Sequence, residues 1–370
     1  MNPFKYGQVV SNEDFCPRPE LIKQLIRFAE SGQNVVVQGE RRMGKTSLIH
    51  EAFRHTKDFQ LVYVDLLEIK TTDDLCRRLL KAIISFENQA GKLEKLIKSL
   101  SRLRPTISLD SFTGQPTVSL DPRISLEPDS IESVLDLISS MRKRSPVIVV
   151  FDEFQDVLNL PDSNQVLALL RSKIQFQGEI AYIFSGSIRN AMNDIFSNSD
   201  SPFFKSALCL DVHGLEKDDF NQFLKAKFRK GKRKISNETL GQISSIGDTV
   251  PGDIQELCGA LWDTTSQGET ISESNFRKAF ELIFSREAKG YESVMTLVTG
   301  QQLKCLTGLA RMGGQSPFSE DFLEGVGITH PASVQKALKR LVKLRVIYRY
   351  QGEYKFVNPF FKHWLLWKNY

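Results

Sequence analysis

The sequence predicts an α/β fold built on a parallel sheet, followed by a helical segment and a C-terminal module of helices and a β-hairpin. Through the first 212 residues, short β-branched apolar segments alternate with helical stretches, which is the pattern of buried parallel strands. The composition is that of a globular protein, with 41% hydrophobic, 25% charged and 10% aromatic residues. Disordered, collagen-like and disulfide-scaffold classes are therefore excluded, and 370 residues allow two or three domains.

Five segments are expected to form the strands of this sheet. Each is rich in valine, isoleucine or leucine and is bounded by polar or turn-forming residues. These segments are residues 35–38, 61–66, 147–151, 180–185 and 208–212. We place the first domain at residues 1–212 and expect an insertion at about 75–130. Within that insertion, alternating residues 105–109 and 117–120 predict a β-hairpin.

A glycine-containing loop follows the first predicted strand. Residues 39–47 match the pattern GxxxxGK[ST], and a helical pattern comes next. The glycines let main-chain N–H groups surround phosphates, and the helix N-terminus adds partial positive charge. Lys45 would reach the β- and γ-phosphates of a nucleotide, and Thr46 would offer its hydroxyl to Mg²⁺. The predicted nucleotide-binding residues of the loop are Gly39, Arg41, Arg42, Met43, Gly44, Lys45, Thr46 and Ser47.

Two carboxylates stand at the end of the third predicted strand. Asp152 would hold Mg²⁺ through water, and Glu153 would polarise the attacking water as the catalytic residue. Taken alone, such a pair also fits the start of a helix. The fourth strand leads into two serines, 185 and 187, where a hydroxyl would bind the attacking water or the γ-phosphate. Serines at strand ends also serve turns, and of the two we favour Ser187.

Together these residues resemble the AAA+-like archaeal and bacterial ATPase family related to the STAND and origin-recognition ATPases. The resemblance covers nearly the whole chain through FCPRPE, GERRMGKTSL, FDEFQ, YIFSGSIRNAMNDIF, SPFFKSA and PGDIQELC. It implies a P-loop NTPase fold with a five-stranded parallel sheet, a helical lid and a C-terminal winged helix. It also implies ATP and Mg²⁺ as ligands, with Arg18 near the adenine and Pro251 against the base. The guanine-reading motif Asn-Lys-x-Asp does not occur in the sequence.

The sequence departs from this family at two arginines. Many relatives carry an arginine beside the small residue of the PFF-x-x-A stretch, where it reaches the γ-phosphate in a neighbouring subunit; here Lys205 and Ser206 occupy that region. Arg171 and Arg189 remain candidates for such a finger. Origin-recognition relatives have Gly-Asp-x-Arg in the lid, whereas residues 252–255 read Gly-Asp-Ile-Gln. Because a finger is worth roughly 10³–10⁵ in rate, we expect slow turnover and a nucleotide-controlled switch.

The C-terminal residues predict a winged helix-turn-helix. Three helical patterns, at 301–312, 319–325 and 331–342, precede a hairpin whose strands are 346–350 and 354–357. With the lid at 213–290, this domain takes residues 291–370. We expect it to bind double-stranded DNA or to act as a protein-interaction module, and the sequence leaves both alternatives open.

Positive charge is concentrated in this C-terminal part. Residues 293–370 hold eleven lysines and arginines but only four aspartates and glutamates, which favours a polyanionic partner. The side chains expected to contact DNA phosphates are Lys336, Lys339, Arg340, Lys343 and Arg349.

The leading hypothesis is therefore a slow, Mg²⁺-dependent ATP hydrolase that binds ATP and ADP and moves its lid and winged helix. One alternative is a non-catalytic, nucleotide-binding DNA regulator; another is a signalling scaffold that forms homo-oligomers with ATP and binds no DNA. No apolar run approaches the roughly 20 residues of a membrane helix, and the first residues lack a hydrophobic signal segment. With five scattered cysteines, these features predict a cytoplasmic protein without a membrane partner.

Overall fold

The computed structural model describes residues 1–54, 59–89, 105–109, 116–120, 129–141, 146–187, 189–350 and 352–368. The chain forms two compact units, which are described separately. One is Val9–Gly214, and the other combines Met1–Gln8 with Leu215–Tyr370. None of the helices in the described part of the chain has the length and apolar character needed to cross a bilayer.

The unit Val9–Gly214 alternates helices and strands, as the apolar pattern predicts. Its described helices are α1 (Pro19–Glu30), α2 (Lys45–Arg54), α3 (Thr72–Gln89), α4 (Asp129–Met141), α5 (Ser163–Ile174) and α6 (Arg189–Phe196). Its described strands are β1 (Val35–Gln38), β2 (Gln60–Asp65), β3 (Pro105–Leu109), β4 (Pro116–Leu120), β5 (Val147–Asp152), β6 (Ala181–Gly186) and β7 (Leu208–Asp211). Short 3₁₀ helices cover Asn12–Asp14 and Phe154–Asn159.

Five of these strands form one parallel sheet in the order β2-β5-β6-β1-β7. This confirms the predicted five-stranded parallel sheet. Strand β6 separates β1 from β5, so the loop after β1 and the acidic end of β5 lie on either side of the end of β6. Since parallel strands end at the same edge of a sheet, all three ends face one crevice.

The predicted hairpin of the insertion is also confirmed, because β3 and β4 pair antiparallel from Pro105 opposite Leu120 to Leu109 opposite Pro116. Helix α3 covers the first part of the expected insertion. The rest of the insertion, including residues 90–104, lies largely outside the described residues.

Buried aromatic rings fix the chain where β5 and β6 end. All six residues of β5 are buried, and Phe154, two residues after the strand, has no solvent exposure. The Phe154 ring lies 4.7 Å from that of Phe184 on β6 and 5.6 Å from that of Phe203, between ring centroids. Burial of such rings is worth about 1.5–3 kcal/mol each. The backbone between Phe151 and Phe154 is therefore held on both sides by packed side chains.

The second unit is helical apart from one hairpin in its described part. Its helices are α7 (Lys217–Lys230), α8 (Asn237–Ile246), α9 (Pro251–Thr264), α10 (Glu273–Leu297), α11 (Gly300–Met312), α12 (Glu320–Val326), α13 (Pro331–Lys343) and α14 (Pro359–Trp367). The hairpin pairs β8 (Ile347–Tyr350) with β9 (Glu353–Phe356). Helix α10 is continuous across the boundary that we expected at residue 290.

The winged-helix elements follow their predicted positions closely. Helix α13 buries Val334, Ala337, Leu338 and Leu341 on one face, as its helical spacing predicts. Helix α14 packs on α10, and the rings of Phe361 on α14 and Tyr291 on α10 lie 5.3 Å apart between centroids.

Residues at the beginning of the sequence pack on the helices of this second unit. Phe4 is 4% exposed, and its ring centroid lies 4.7 Å from that of Phe228 and 6.2 Å from that of Trp262. The buried ammonium group of Lys227 donates to the carbonyl oxygen of Pro3 at 2.7 Å. Asn2 donates to the carbonyl oxygen of Gly259 at 2.9 Å. The segment 1–8 therefore packs on the helical unit and contributes Phe4 to its core, although it is distant in sequence.

Replacing Phe4 by alanine is expected to destabilise the helical unit by about 3–5 kcal/mol, because it leaves a cavity between Phe228 and Trp262. Denaturant unfolding followed by tryptophan fluorescence measures this change, since Trp262 is in contact with the site. Phe176→Ala is the matched control, because the Phe176 side chain is 84% exposed. Equal stability of the two variants would contradict this account of the packing.

Candidate active site

The loop between β1 and α2 has the backbone that its glycines predict. A Cβ added to Gly39 would lie 2.4 Å from the carbonyl oxygen of Val212, so only glycine fits against this neighbouring chain segment. Gly44 has a φ of +83°, a conformation that glycine adopts without steric cost. Arg42 also has a positive φ, of 64°. The loop therefore folds back sharply before α2 begins at Lys45.

Lys45 is turned into this loop. Its Nζ donates to the carbonyl oxygens of Gly39 at 3.0 Å and Glu40 at 2.9 Å, and the residue is 7% exposed. Burial lowers the pKa of Lys45 to about 8, while the charges of Glu153 and Asp152 act in the opposite direction. The ammonium group of Lys45 thus lies near both carboxylates and is hydrogen-bonded to the loop that precedes α2.

The loop and the acidic end of β5 meet through a direct hydrogen bond. Thr46 donates its hydroxyl to Oδ2 of Asp152 at 2.8 Å, across 106 positions of sequence. The hydroxyl of Tyr63, on β2, donates to the same oxygen. Oδ1 of Asp152 accepts the main-chain N–H of Glu153 at 3.1 Å. The structure therefore brings together the hydroxyl and the carboxylate that the sequence assigned to Mg²⁺.

Glu153 lies beside this pair in a left-handed backbone conformation, with φ 52° and ψ 41°. Ser187 donates to its Oε2 at 3.0 Å, and the side-chain amide of Gln155 donates to the same oxygen at 2.5 Å. Gly186 permits this arrangement, because a Cβ there would lie 2.6 Å from Oε1 of Gln155. Two donors on one oxygen fix the direction of the Glu153 carboxylate.

The other serine at the end of β6 lies deeper. Ser185 is fully buried, and its hydroxyl has no hydrogen-bond partner among the described residues. Ser187 is the one that contacts Glu153, so the geometry groups the preferred serine with the two carboxylates.

Arg18 and Ser47 form hydrogen bonds that connect the loop and the start of α2 to neighbouring chain segments. Nη2 of Arg18 donates to the carbonyl oxygen of Met43 at 2.9 Å, and the residue is 9% exposed. Burial lowers the pKa of Arg18 to about 10, so it remains charged at neutral pH. The hydroxyl of Ser47 accepts the main-chain N–H of Val10 at 3.1 Å. Arg18 therefore supports the loop directly, and its predicted place near an adenine remains a prediction.

The remaining predicted residues have exposed side chains on the loop or lie on other elements. The side chains of Arg41 and Arg42 are exposed, so these residues would serve a phosphate through their main chain. Arg171 lies in the last turn of α5, which returns from the end of β5 to the beginning of β6, and so toward the opposite edge of the sheet. Arg189 is the first residue of α6. Pro251 begins α9 in the other unit, where its contact with a base stays a prediction.

Three residues of the site were missed by sequence reasoning. Tyr63 and Gln155 bind the two carboxylates, and the His50 ring of α2 packs on Tyr63 with 4.9 Å between ring centroids. Burial raises the pKa of Tyr63, so its hydroxyl stays protonated and acts as a donor. A polar aromatic residue in an apolar strand, as in Gln60–Asp65, was the available signal for Tyr63.

The predicted DNA-binding side chains lie on one helix and the hairpin of the second unit. All five are exposed, and none forms an ion pair within the described part of the chain. The guanidinium group of Arg349 lies over the Tyr354 ring at 5.7 Å from its centroid. Helix α13 contains no acidic residue. The exposed basic residues are Lys336, Lys339, Arg340, Lys343 and Arg349.

Comparison with solved structures finds the same fold in other proteins. A Walker-type ATPase of Pyrococcus abyssi is 19% identical with a TM-score of 0.63, and the match covers 98% of this chain and 99% of that one. The ORC1 protein of Aeropyrum pernix, solved in complex with DNA, is 12% identical with a TM-score of 0.55 and coverages of 97% and 94%. The ADP form of the ORC2 protein of the same organism is 14% identical, with a TM-score of 0.52 and coverages of 96% and 93%. At these identities the likeness is one of fold.

Comparison with family models is more specific. No curated protein matches the chain. A model described as a probable winged helix domain matches residues 289–367. A model described as an ATPase domain predominantly from Archaea matches residues 15–257, which include the loop, both carboxylates and the end of β6. The chain therefore belongs to this archaeal-type ATPase family and carries a C-terminal winged helix domain.

Proposed function

We propose that the protein binds ATP and hydrolyses it slowly with Mg²⁺, and that its nucleotide state controls the helical unit. The observation that carries this proposal is the hydrogen bond from Thr46 to Asp152, with Glu153 and Ser187 beside it. A hydroxyl and a carboxylate next to a phosphate-binding loop are the usual protein ligands of nucleotide-bound Mg²⁺.

The residues of the site fit ATP and Mg²⁺ as ligands. The loop after β1 presents main-chain N–H groups at the start of α2, where a triphosphate is favoured by the helix dipole. Thr46 and Asp152 would hold Mg²⁺, which supplies positive charge against the developing charge of the phosphates. Lys45 lies in the loop with its ammonium group free to exchange carbonyl oxygens for phosphate oxygens. The loop, Lys45, Thr46 and Asp152 could therefore bind ATP and Mg²⁺ with the strands in their present positions.

Glu153 is the residue that we assign to the attacking water. Its Oε2 is held by Ser187 and Gln155, and its Oε1 has no hydrogen bond within the described residues. Because the carboxylate direction is fixed in advance, a water bound at Oε1 would be oriented without further rearrangement. Ser187 thus acts by positioning Glu153.

The expectation of slow turnover rests on where the arginines of the chain lie. The lid position where relatives have arginine is Gln255, and Arg171 lies toward the opposite edge of the sheet. Arg171 is therefore not grouped with the carboxylates. We expect a second copy or another partner to supply an arginine, so that rapid hydrolysis requires a homo-oligomer or an activating partner.

Glu153→Gln is expected to retain ATP binding and to lower phosphate release at least ~100-fold, because it removes the base while keeping the shape of the side chain. Phosphate release is measured with Mg²⁺ and with EDTA, and ATP binding by a fluorescent nucleotide. The matched control is Glu68→Gln, since Glu68 is exposed and has a similar left-handed φ of 57°.

Hydrolysis that is equal in the wild type and in Glu153→Gln would overturn the enzymatic proposal. It would favour the alternative of a nucleotide-binding regulator without catalysis. Hydrolysis lost equally in Glu153→Gln and Glu68→Gln would contradict the assignment of Glu153 alone.

We propose further that helix α13 and the hairpin bind the phosphate backbone of double-stranded DNA. Five exposed basic side chains on these two elements, with no acidic residue on the helix, support this. In a winged helix-turn-helix the third helix lies in a major groove, and basic residues beside it contact phosphates. The similar fold of the A. pernix ORC1 protein was solved on DNA, which agrees with this proposal.

Reversing two of these charges, in Lys339→Glu with Arg340→Glu, is expected to weaken binding to generic duplex DNA about tenfold or more. It should also reduce the slope of log affinity against log salt by about 2, since two phosphate contacts are lost. Fluorescence anisotropy over a salt series measures both. The control reverses Lys278 and Lys289, which are exposed on α10 and change the net charge equally.

If both double variants bind DNA equally weakly, the loss of affinity results from the change in net charge and not from the loss of contacts at helix α13. An absence of DNA binding by the wild type at low salt would favour the scaffold alternative, in which the winged helix binds protein. Mass measurement with and without ATP then tests oligomerisation.

A further inference from the structure

The carboxylate of Asp152 has one donor more than the proposed metal site accounts for. Oδ2 accepts hydrogen bonds from Thr46 and from Tyr63, and Oδ1 accepts the N–H of Glu153. A carboxylate oxygen has two lone-pair directions, so both directions of Oδ2 are used and one direction of Oδ1 is left. The third donor, the hydroxyl of Tyr63, comes from a strand that carries no part of the nucleotide motifs.

The Tyr63 side chain is held where it is by three elements. Its strand, β2, pairs with β5, and Asp65 is the register partner of Asp152, so Tyr63 lies two residues back along the neighbouring strand. Its ring packs against His50, which lies one helical turn after Thr46 on α2. The hydroxyl therefore reaches Asp152 from a ring clamped between the sheet and the helix that begins at the phosphate loop.

We propose that Tyr63 is a positioning residue for the metal-binding carboxylate, whose hydroxyl holds Asp152 in the orientation that Mg²⁺ binding with nucleotide requires. This inference rests on the proposed function, because it concerns the same nucleotide site. Without the hydroxyl, the side chain of Asp152 would keep only Thr46 and one main-chain N–H as donors, and rotation about its Cβ–Cγ bond would be less restricted. Partners that orient a metal-binding carboxylate typically contribute about 10–100-fold to metal affinity.

The packing role of Tyr63 separates cleanly from this positioning role. Tyr63→Phe keeps the ring against His50 and removes only the donor. The phosphate loop, Lys45 and Arg18 are untouched by the change, so affinity for nucleotide without metal is expected to stay the same. Only the gain in affinity that Mg²⁺ brings should fall.

The test compares the affinity of the full-length protein for a fluorescent ADP analogue in Mg²⁺ and in EDTA. For the wild type, affinity in Mg²⁺ should exceed affinity in EDTA. Tyr63→Phe is expected to reduce this ratio about tenfold, with affinity in EDTA unchanged, and to raise the Mg²⁺ concentration for half-maximal ATP hydrolysis.

The matched control is Tyr182→Phe. Tyr182 is a buried tyrosine of β6 in the same sheet, and its hydroxyl donates to Gln177 near the beginning of that strand, away from the site. This variant also loses a tyrosine hydroxyl and its hydrogen bond to a side-chain oxygen, and it should leave the ratio of affinities unchanged.

Three results would overturn the inference. The ratio of affinities is the same in Tyr63→Phe and the wild type; the two tyrosine variants reduce it equally; or Tyr63→Phe loses affinity equally in Mg²⁺ and in EDTA, which means that Tyr63 shapes the whole pocket. Failure of the proposed function looks different, since a wild type that binds no nucleotide, or binds it without hydrolysis, is detected before any variant is compared.

Discussion

One hydrogen bond, from the hydroxyl of Thr46 to the carboxylate of Asp152, is the constraint on which the site depends. It joins the first turn of α2, the helix that follows β1, to the end of β5. In the sheet, β6 lies between β1 and β5. A buried carboxylate of this kind is stable only when its oxygens are hydrogen-bonded. Asp152 meets that requirement with groups from three elements, and the same requirement sets the distance between the phosphate loop and the acidic strand end.

Packed aromatic side chains support the two carboxylates. Phe151 precedes Asp152, and Phe154 follows Glu153; both rings are fully buried. Their neighbours come from β6 and from the residues before β7, so the two carboxylates stand on a rigid apolar floor. Small displacements of these rings would change the directions of the carboxylates, which links the core of this unit to the activity proposed for it.

Much of this arrangement was predictable from sequence because local patterns determine it. A β-branched run followed by glycines, and another followed by two acids, place both groups at the same sheet edge once the strands are parallel. Tyr63 and Gln155 escaped prediction for a different reason: their partners are chosen by strand register and by a left-handed residue, which no local pattern encodes. The segment 1–8 escaped in the same way, since Phe4 finds its aromatic partners more than 200 positions later.

The left-handed conformation of Glu153 has a consequence for how this chain would change under selection. A residue with a side chain in that conformation costs about 1–2 kcal/mol, and glycine or asparagine relieves the cost. Selection for heat resistance alone would therefore favour exchanging Glu153 for one of these residues. Under the proposed function, stability and catalysis compete at this one position.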